Sequence, residues 1–265
     1  MHLELRDECE ELKEILKELK KYGSIGLKMS TEDSGNSLEF IDFVNNRLLD
    51  DILPLSMKIG GPDAQNDIRE ALKIGVSGII GPMIESPFGI QKFITALRGI
   101  AGDEAMKHLL VSVNIESVAA YRQIDEILKA PEIKDINEIV IGTSDLCISV
   151  GKPKEDPEVI KMVREMAQKS KRASKIVRIG GMISLSNENP PLLKRLLEET
   201  GADEVNTTCV SFSVKKTPDL CSAYLKALNF EMKLYAFGLA LSNKRAAPLQ
   251  RSLLSLEKTI GRIVT

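Results

Sequence analysis

Seven short apolar runs, each followed by a segment of helical periodicity, recur between residues 25 and 210, and this alternation constrains the fold more than any other property of the chain. The runs cover 25–29, 53–59, 78–83, 109–116, 138–145, 175–183 and 204–210. Repeated strand–helix units predict a parallel sheet, covered by helices on both faces or closed into a barrel. The runs read as buried and non-alternating, which is the pattern of parallel strands. Closing a TIM-type (β/α)8 barrel requires an eighth strand, which is either the weak Leu3-Glu4-Leu5 segment or missing.

The intervening segments carry helix signals. Leu5, Cys9, Leu12, Ile15, Leu16 and Leu19 have helical spacing over 5–22, ending at Gly23. Ser37 is placed to N-cap a helix to about Leu49, and Pro62 to sit in the first turn of one ending at Ile74. Further helices are expected over 87–100, 117–129 and 156–172, then after Asn189-Pro190-Pro191, and from Pro218 onward with an interruption around 243–248. No Gly- or Ser-rich linker divides the 265 residues, so 1–265 reads as one domain.

Composition narrows the function classes. With 43% hydrophobic and 28% charged residues the chain can bury a sizeable core. A net charge of −2, 4% aromatic residues and no Trp offer no basic, stacking-rich surface, so no nucleic-acid partner is expected. The apolar stretches fall short of the roughly 20 residues that span a bilayer, and the N-terminus is an acidic amphipathic segment unlike a signal peptide. A soluble, cytoplasmic protein with no membrane partner is expected. Cys9, Cys147, Cys209 and Cys221 lack zinc or disulfide spacing and read as free thiols.

Two carboxylates, Glu116 and Asp145, end consecutive runs. In a parallel barrel all strand C-termini open onto one face, so the pair can converge on one ion or substrate. Read from the residues alone, they are equally caps for the helices that follow.

Lys58-Ile59-Gly60-Gly61, Gly81-Pro82-Met83-Ile84-Glu85-Ser86-Pro87, Asn114-Ile115-Glu116-Ser117, and Ile141-Gly142-Thr143-Ser144-Asp145-Leu146 with Gly151 resemble, in this order, the strand-end motifs of the aldolase/citrate lyase family of phosphoenolpyruvate/pyruvate-domain TIM barrels. The resemblance covers about 23–215. It implies a carbon–carbon lyase acting on a 2-oxo acid or acyl-CoA-like substrate through a metal-stabilised enolate. Glu116 and Asp145 are then the ligands of Mg²⁺ or Mn²⁺, with coordination positions left for water and a bidentate pyruvyl group. Lys58 stands where many relatives have an Arg that contacts substrate oxygens, keeping the charge but losing the bidentate fork.

The Gly142-Thr143-Ser144 turn is expected to offer backbone N–H groups to a substrate carboxylate. Lys28, Pro82 and Met83 complete the substrate-binding set, although ordinary core is the simpler reading of Met83. Glu32, Asp33 and Glu85 are the available acid/base groups, with Lys58 the strongest catalytic assignment. Lys58 has an alternative as the ion-pair partner of Glu85 or Glu116. Arg178 and Asn206 are expected to face the interior.

Histidine is scarce. His108 opens its strand, away from the mouth, which excludes a Ser/His/Asp or Cys/His triad and leaves the base of the family's hydroxy-oxo-acid aldolases without a counterpart. No Gly-x-Gly-x-x-Gly or P-loop is present. Two competing classes stay open: a non-catalytic barrel that binds a ligand or assembles with partners, and a phosphoenolpyruvate-type mutase or hydrolase. The long C-terminal helical region, about 218–262, exceeds what one barrel needs, and the resemblance implies its exchange between subunits of a homo-oligomer.

Overall fold

The computed structural model describes residues 3–32, 34–181, 190–241 and 253–258. Eight strands close into one barrel in sequence order: β1 (Ser24–Ser30), β2 (Leu55–Lys58), β3 (Gly78–Gly81), β4 (Leu110–Ile115), β5 (Glu138–Gly142), β6 (Ile176–Gly180), β7 (Glu204–Asn206) and β8 (Val210–Ser213). Strands β1 to β7 pair in parallel, whereas β8 runs antiparallel to both β7 and β1. The eighth strand is therefore neither missing nor at Leu3-Glu4-Leu5, which begins helix α1 (Leu3–Lys21). It splits off the end of the seventh run, where Thr207 to Cys209 turn the chain back on itself. The hairpin is fixed by Thr207 N–H bonding to Val210 O at 2.9 Å.

Helices cover the barrel: α2 (Leu38–Phe43), α3 (Gln65–Ile74), α4 (Pro87–Met106), α5 (Val118–Arg122), α6 (Ile124–Lys129), α7 (Thr143–Val150), α8 (Pro157–Arg172), α9 (Pro190–Thr200) and α10 (Leu220–Leu241). Residues 253–258 form one more helical turn. Several boundaries follow from side-chain caps. Ser37, Ser86 and Ser117 each accept a backbone N–H three residues on, from Phe40, Gly89 and Ala120, satisfying donors that a helix start leaves unpaired. Pro62 does not open α3. That helix begins only at Gln65, behind Ala64, so Pro62 lies in the turn before it. The segment after α2, Val44–Leu49, winds as a π-helix.

The strands do alternate, contrary to the pattern inferred from sequence. Leu27, Met57, Ile79, Val113, Ile139 and Ile179 belong to the hydrophobic core shared with the surrounding helices. Their neighbours one residue away, among them Lys28, Lys58, Asn114 and Arg178, line the barrel lumen. Apolar matter thus sits between barrel and helices, and the lumen is polar. Helix α10 packs on α1 in the same chain, with the ion pairs Lys226–Glu18 and Lys233–Glu11 between them, while its buried Tyr224 and Phe237 meet Phe212 of β8 and Phe43 of α2. No disulfide joins Cys9, Cys147, Cys209 and Cys221. Among the described residues no helix is long and apolar enough to cross a membrane.

Candidate functional site

The strand C-termini surround a cavity of about 820 Å³ that extends into the polar lumen. Its wall takes Lys28 from β1, Lys58 from β2, Asn114 and Glu116 from β4, Gly142 to Asp145 from β5 and α7, Arg178 and Gly180 from β6, and Asn206 from β7. The period-two spacing of Asn114 and Glu116, and of Arg178 and Gly180, carries both members of each pair inward.

Glu116 is 3% exposed. Its Oε1 accepts the backbone N–H of Met83 at 3.1 Å and its Oε2 accepts Asn114 Nδ2 at 2.9 Å. Lys58 Nζ, itself buried, lies 3.8 Å from Oε1. Burial raises the Glu116 carboxyl above its ordinary range, and the nearby Asp145 charge adds to the rise. Lys58, Asn114 and the Met83 amide act in the opposite direction. Gly142 makes room for this side chain, since a Cβ there would stand 2.5 Å from Glu116 Oε2. Glu116 caps no helix, because Ser117 performs that task for α5.

Asp145 departs from expectation in its position. Strand β5 stops at Gly142 and α7 begins at Thr143, so Asp145 sits in the first helical turn, where a carboxylate also complements the helix dipole. Thr143 is fully buried and its hydroxyl donates to Gly180 O at 2.6 Å, tying the end of β5 to that of β6. Lys154 reaches back from the α7–α8 loop to donate to Gly181 O. Ser144 lines the cavity with its surface exposed.

Two carboxylates with hard oxygen donors, one buried behind a glycine with the Lys58 ammonium 3.8 Å away, fit a divalent ion that takes its remaining ligands from water and substrate. Among the described residues no group of three or more His, Cys, Asp or Glu is gathered for a metal. A site here is thus a two-carboxylate site completed from solution.

Other sequence assignments fall away from the cavity. Met83 is 46% exposed, not core, and adopts φ 48°; it serves Glu116 through its amide, while neither it nor Pro82 lines the cavity. Glu85 is exposed outside the cavity and accepts the Ser117 hydroxyl at 2.5 Å, so it pairs with neither Lys58 nor the lumen. Glu32 does line the mouth, above Gly60, and Lys28 lies within β1 two residues before its end. Asp33, residues 182–189 and the expected break at 243–248 lie outside the described residues. His108 is exposed at the opposite face, beside Glu104.

Sequence reasoning gave no role to the buried triad beneath the mouth. Arg178 lies 2.9 Å from Glu138 and 2.5 Å from Glu204, and Ser112 donates to Glu138 at 2.6 Å. Burial drives the Glu138 carboxyl upward, with Arg178 opposing it. Lys154, Glu231 and Tyr235 were also missed. Asn114 was legible in principle, being the period-two neighbour of Glu116 on one strand.

Residues 59–196 match the family model described as HpcH/HpaI aldolase/citrate lyase. No curated protein matches the chain. A HpcH/HpaI aldolase/citrate lyase family protein from Burkholderia cenocepacia J2315 superposes with a TM-score of 0.58 at 17% identity, over 82% of this chain and 89% of its own. Citrate synthase SbnG gives 0.58 at 18% identity, again over 82% and 89%. A HpcH/HpaI aldolase from Desulfitobacterium hafniense DCB-2 gives 0.56 at 15% identity, over 68% and 75%. These structural likenesses are likenesses of fold.

Proposed function

The chain belongs to the HpcH/HpaI aldolase/citrate lyase family, which makes it a carbon–carbon lyase by class, and from that premise we propose a divalent-metal-dependent reaction beside the enolate of a 2-oxo acid or acyl thioester. The observation that carries the metal assignment is Glu116: a carboxylate 3% exposed, wedged behind Gly142, with Asp145 close enough to raise its pKa.

In this reading Glu116 and Asp145 hold Mg²⁺ or Mn²⁺. The bound ion supplies Lewis-acid stabilisation of the enolate oxygen. Asn114 and the Met83 amide orient Glu116. Lys58 places an ammonium beside the same carboxylate and draws a substrate oxygen to it. The backbone amides at the start of α7 receive a substrate carboxylate, an arrangement favoured at helix N-termini. Lys28 and Glu32 occupy the β1 side of the same cavity, where Glu32 is the carboxylate available for proton transfer. A homo-oligomer belongs to this proposal, with light scattering as its measure.

Titration calorimetry with Mg²⁺, followed by oxalate or pyruvate, tests the site, and cleavage assays across 2-oxo acids and acyl-CoA thioesters with and without EDTA test the reaction. Metal binding abolished by Glu116→Gln is expected. Turnover that survives EDTA rejects the metal role.

A further inference from the structure

Glu116, Gly142, Gly180 and Asn206 stand side by side at the mouth, on strands β4 to β7. Glu116 follows Ile115, whose partner on β5 is Ile141, so it lies beside Gly142; Gly142 pairs with Gly180, and Gly180 with Asn206. The two inner positions have no side chain, and the two outer side chains lean over them. A Cβ on Gly142 would stand 2.5 Å from Glu116 Oε2, and one on Gly180 would stand 2.9 Å from Asn206 Oδ1. Neighbouring strands lie about 4.8 Å apart, so the two oxygens flank the space in front of the glycine pair and are separated by no more than about 10 Å.

Asn206 is 4% exposed and lines the cavity. Its Nδ2 donates to Thr207 O at 2.6 Å. Thr207 is held in turn: its hydroxyl donates to Glu231 Oε1 of α10 at 2.5 Å, and the same oxygen accepts the Cys209 and Val210 N–H groups. This fixes the amide, because an amide oxygen turned toward the Thr207 carbonyl would meet another acceptor. Oδ1 is left buried, and among the described residues nothing donates to it. Asn114, on the same cavity wall, repeats the pattern, with Nδ2 spent on Glu116 Oε2 and Oδ1 buried without a donor.

Buried polar side-chain atoms in native proteins almost always have a partner. Two orphan oxygens on one wall, each the acceptor end of an amide whose donor end is committed, call for hydrogen-bond donors from the ligand. Carboxylate and enolate oxygens only accept and cannot serve. A hydroxyl group can, and so can water carried by an ion.

Resting on the functional reading above, we propose that Asn206 chooses among ligands at this site: its Oδ1 accepts a hydrogen bond from an O–H group seated over the Gly142–Gly180 pair. Where that group belongs to the substrate, the site selects a hydroxyl-bearing acid. Where it is water on the ion, Asn206 sets the affinity for the metal.

Calorimetry separates the two sources. Pyruvate, racemic lactate and racemic glycerate share a three-carbon acid skeleton and carry no hydroxyl, one and two; each is titrated with and without Mg²⁺ into wild type, Asn206→Leu and Gly180→Ala. The leucine removes the acceptor, and the alanine displaces it without deleting the amide. In both variants lactate or glycerate is expected to lose about tenfold in affinity relative to pyruvate, the worth of one hydrogen bond. A tenfold loss shared by all three acids and by Mg²⁺ alone, with the melting temperature in EDTA unchanged, assigns the donor to water on the ion. No loss, an equal loss for the acids with Mg²⁺ alone unaffected, or a shared loss with lowered melting overturns the proposal. If Asn206→Leu does not fold, Gly180→Ala decides by the same ratios. Wild type that binds the acids and not Mg²⁺ counts against the metal reading alone, and the ratios without the ion then decide Asn206; wild type that binds neither overturns both.

Discussion

Lys58 Nζ stands 3.8 Å from Glu116 Oε1 inside the barrel, with both side chains almost wholly removed from solvent. Removing one partner of a buried pair strands the other charge, which typically costs 3–5 kcal/mol. Lys58→Met is therefore expected to lower the stability of the metal-free protein by about 3 kcal/mol in urea denaturation. Mg²⁺ is expected to restore part of the loss. An unchanged midpoint removes Lys58 as the counter-charge.

Glu138 sets a pH dependence. Burial holds its folded-state pKa above the ordinary 4.5, so the folded protein binds this proton more tightly than the unfolded chain does. Stability from this group is present below 4.5 and is lost as pH rises from there through the raised folded value. Thermal melts in EDTA between pH 4.5 and 8 should fall less steeply for Glu138→Gln than for wild type. Parallel curves contradict the assignment.

Gly142→Ala introduces a Cβ 2.5 Å from Glu116 Oε2, a clash that the side chain relieves only by leaving its position. Overpacking of this kind costs about 1–3 kcal/mol. The larger effect is expected at the ion: Mg²⁺ affinity by calorimetry should drop at least about tenfold, the order seen when a metal ligand loses its orientation. Retained affinity would place the ion elsewhere.

Glu85→Gln and Glu32→Gln separate two of the acid/base carboxylates read from the sequence. Glu85 is bonded to Ser117, outside the cavity, so its substitution is expected to change kcat/KM by no more than about twofold, as for surface sites distant from function. Glu32→Gln, at the mouth, should reduce kcat by about a hundredfold if it transfers the proton. The opposite ranking would exchange their roles.

The barrel was legible in the sequence because seven β-branched runs kept their order and spacing. Its closure was not. Glu204 to Val210 reads as a single run, and Thr207-Thr208-Cys209 carries none of the Gly, Pro or Asn signals that usually mark a hairpin; a buried glutamate 24 positions from Thr207 stabilises that turn instead. The polar lumen escaped notice because Lys58 and Asn114 look like strand ends when read locally, while inside the closed barrel both line one cavity. Asp145 was assigned to the correct mouth and the wrong element, since the helix starts at Thr143 with no side-chain cap to announce it. Glu231 was invisible for a similar reason, because a lone acid in an apolar helix ordinarily faces water.

The reversal of β8 alters what variation the mouth can accept. An all-parallel barrel presents eight strand-to-helix loops at its open face, each free to lengthen and diversify recognition. Here the turn at 207–209 occupies the place of two of them, since β8 ends at the opposite face, and it is pinned from behind by α10. Insertions there would tear the helix from the barrel, so in descendants of this chain new specificity has six loops and one helix face on which to arise.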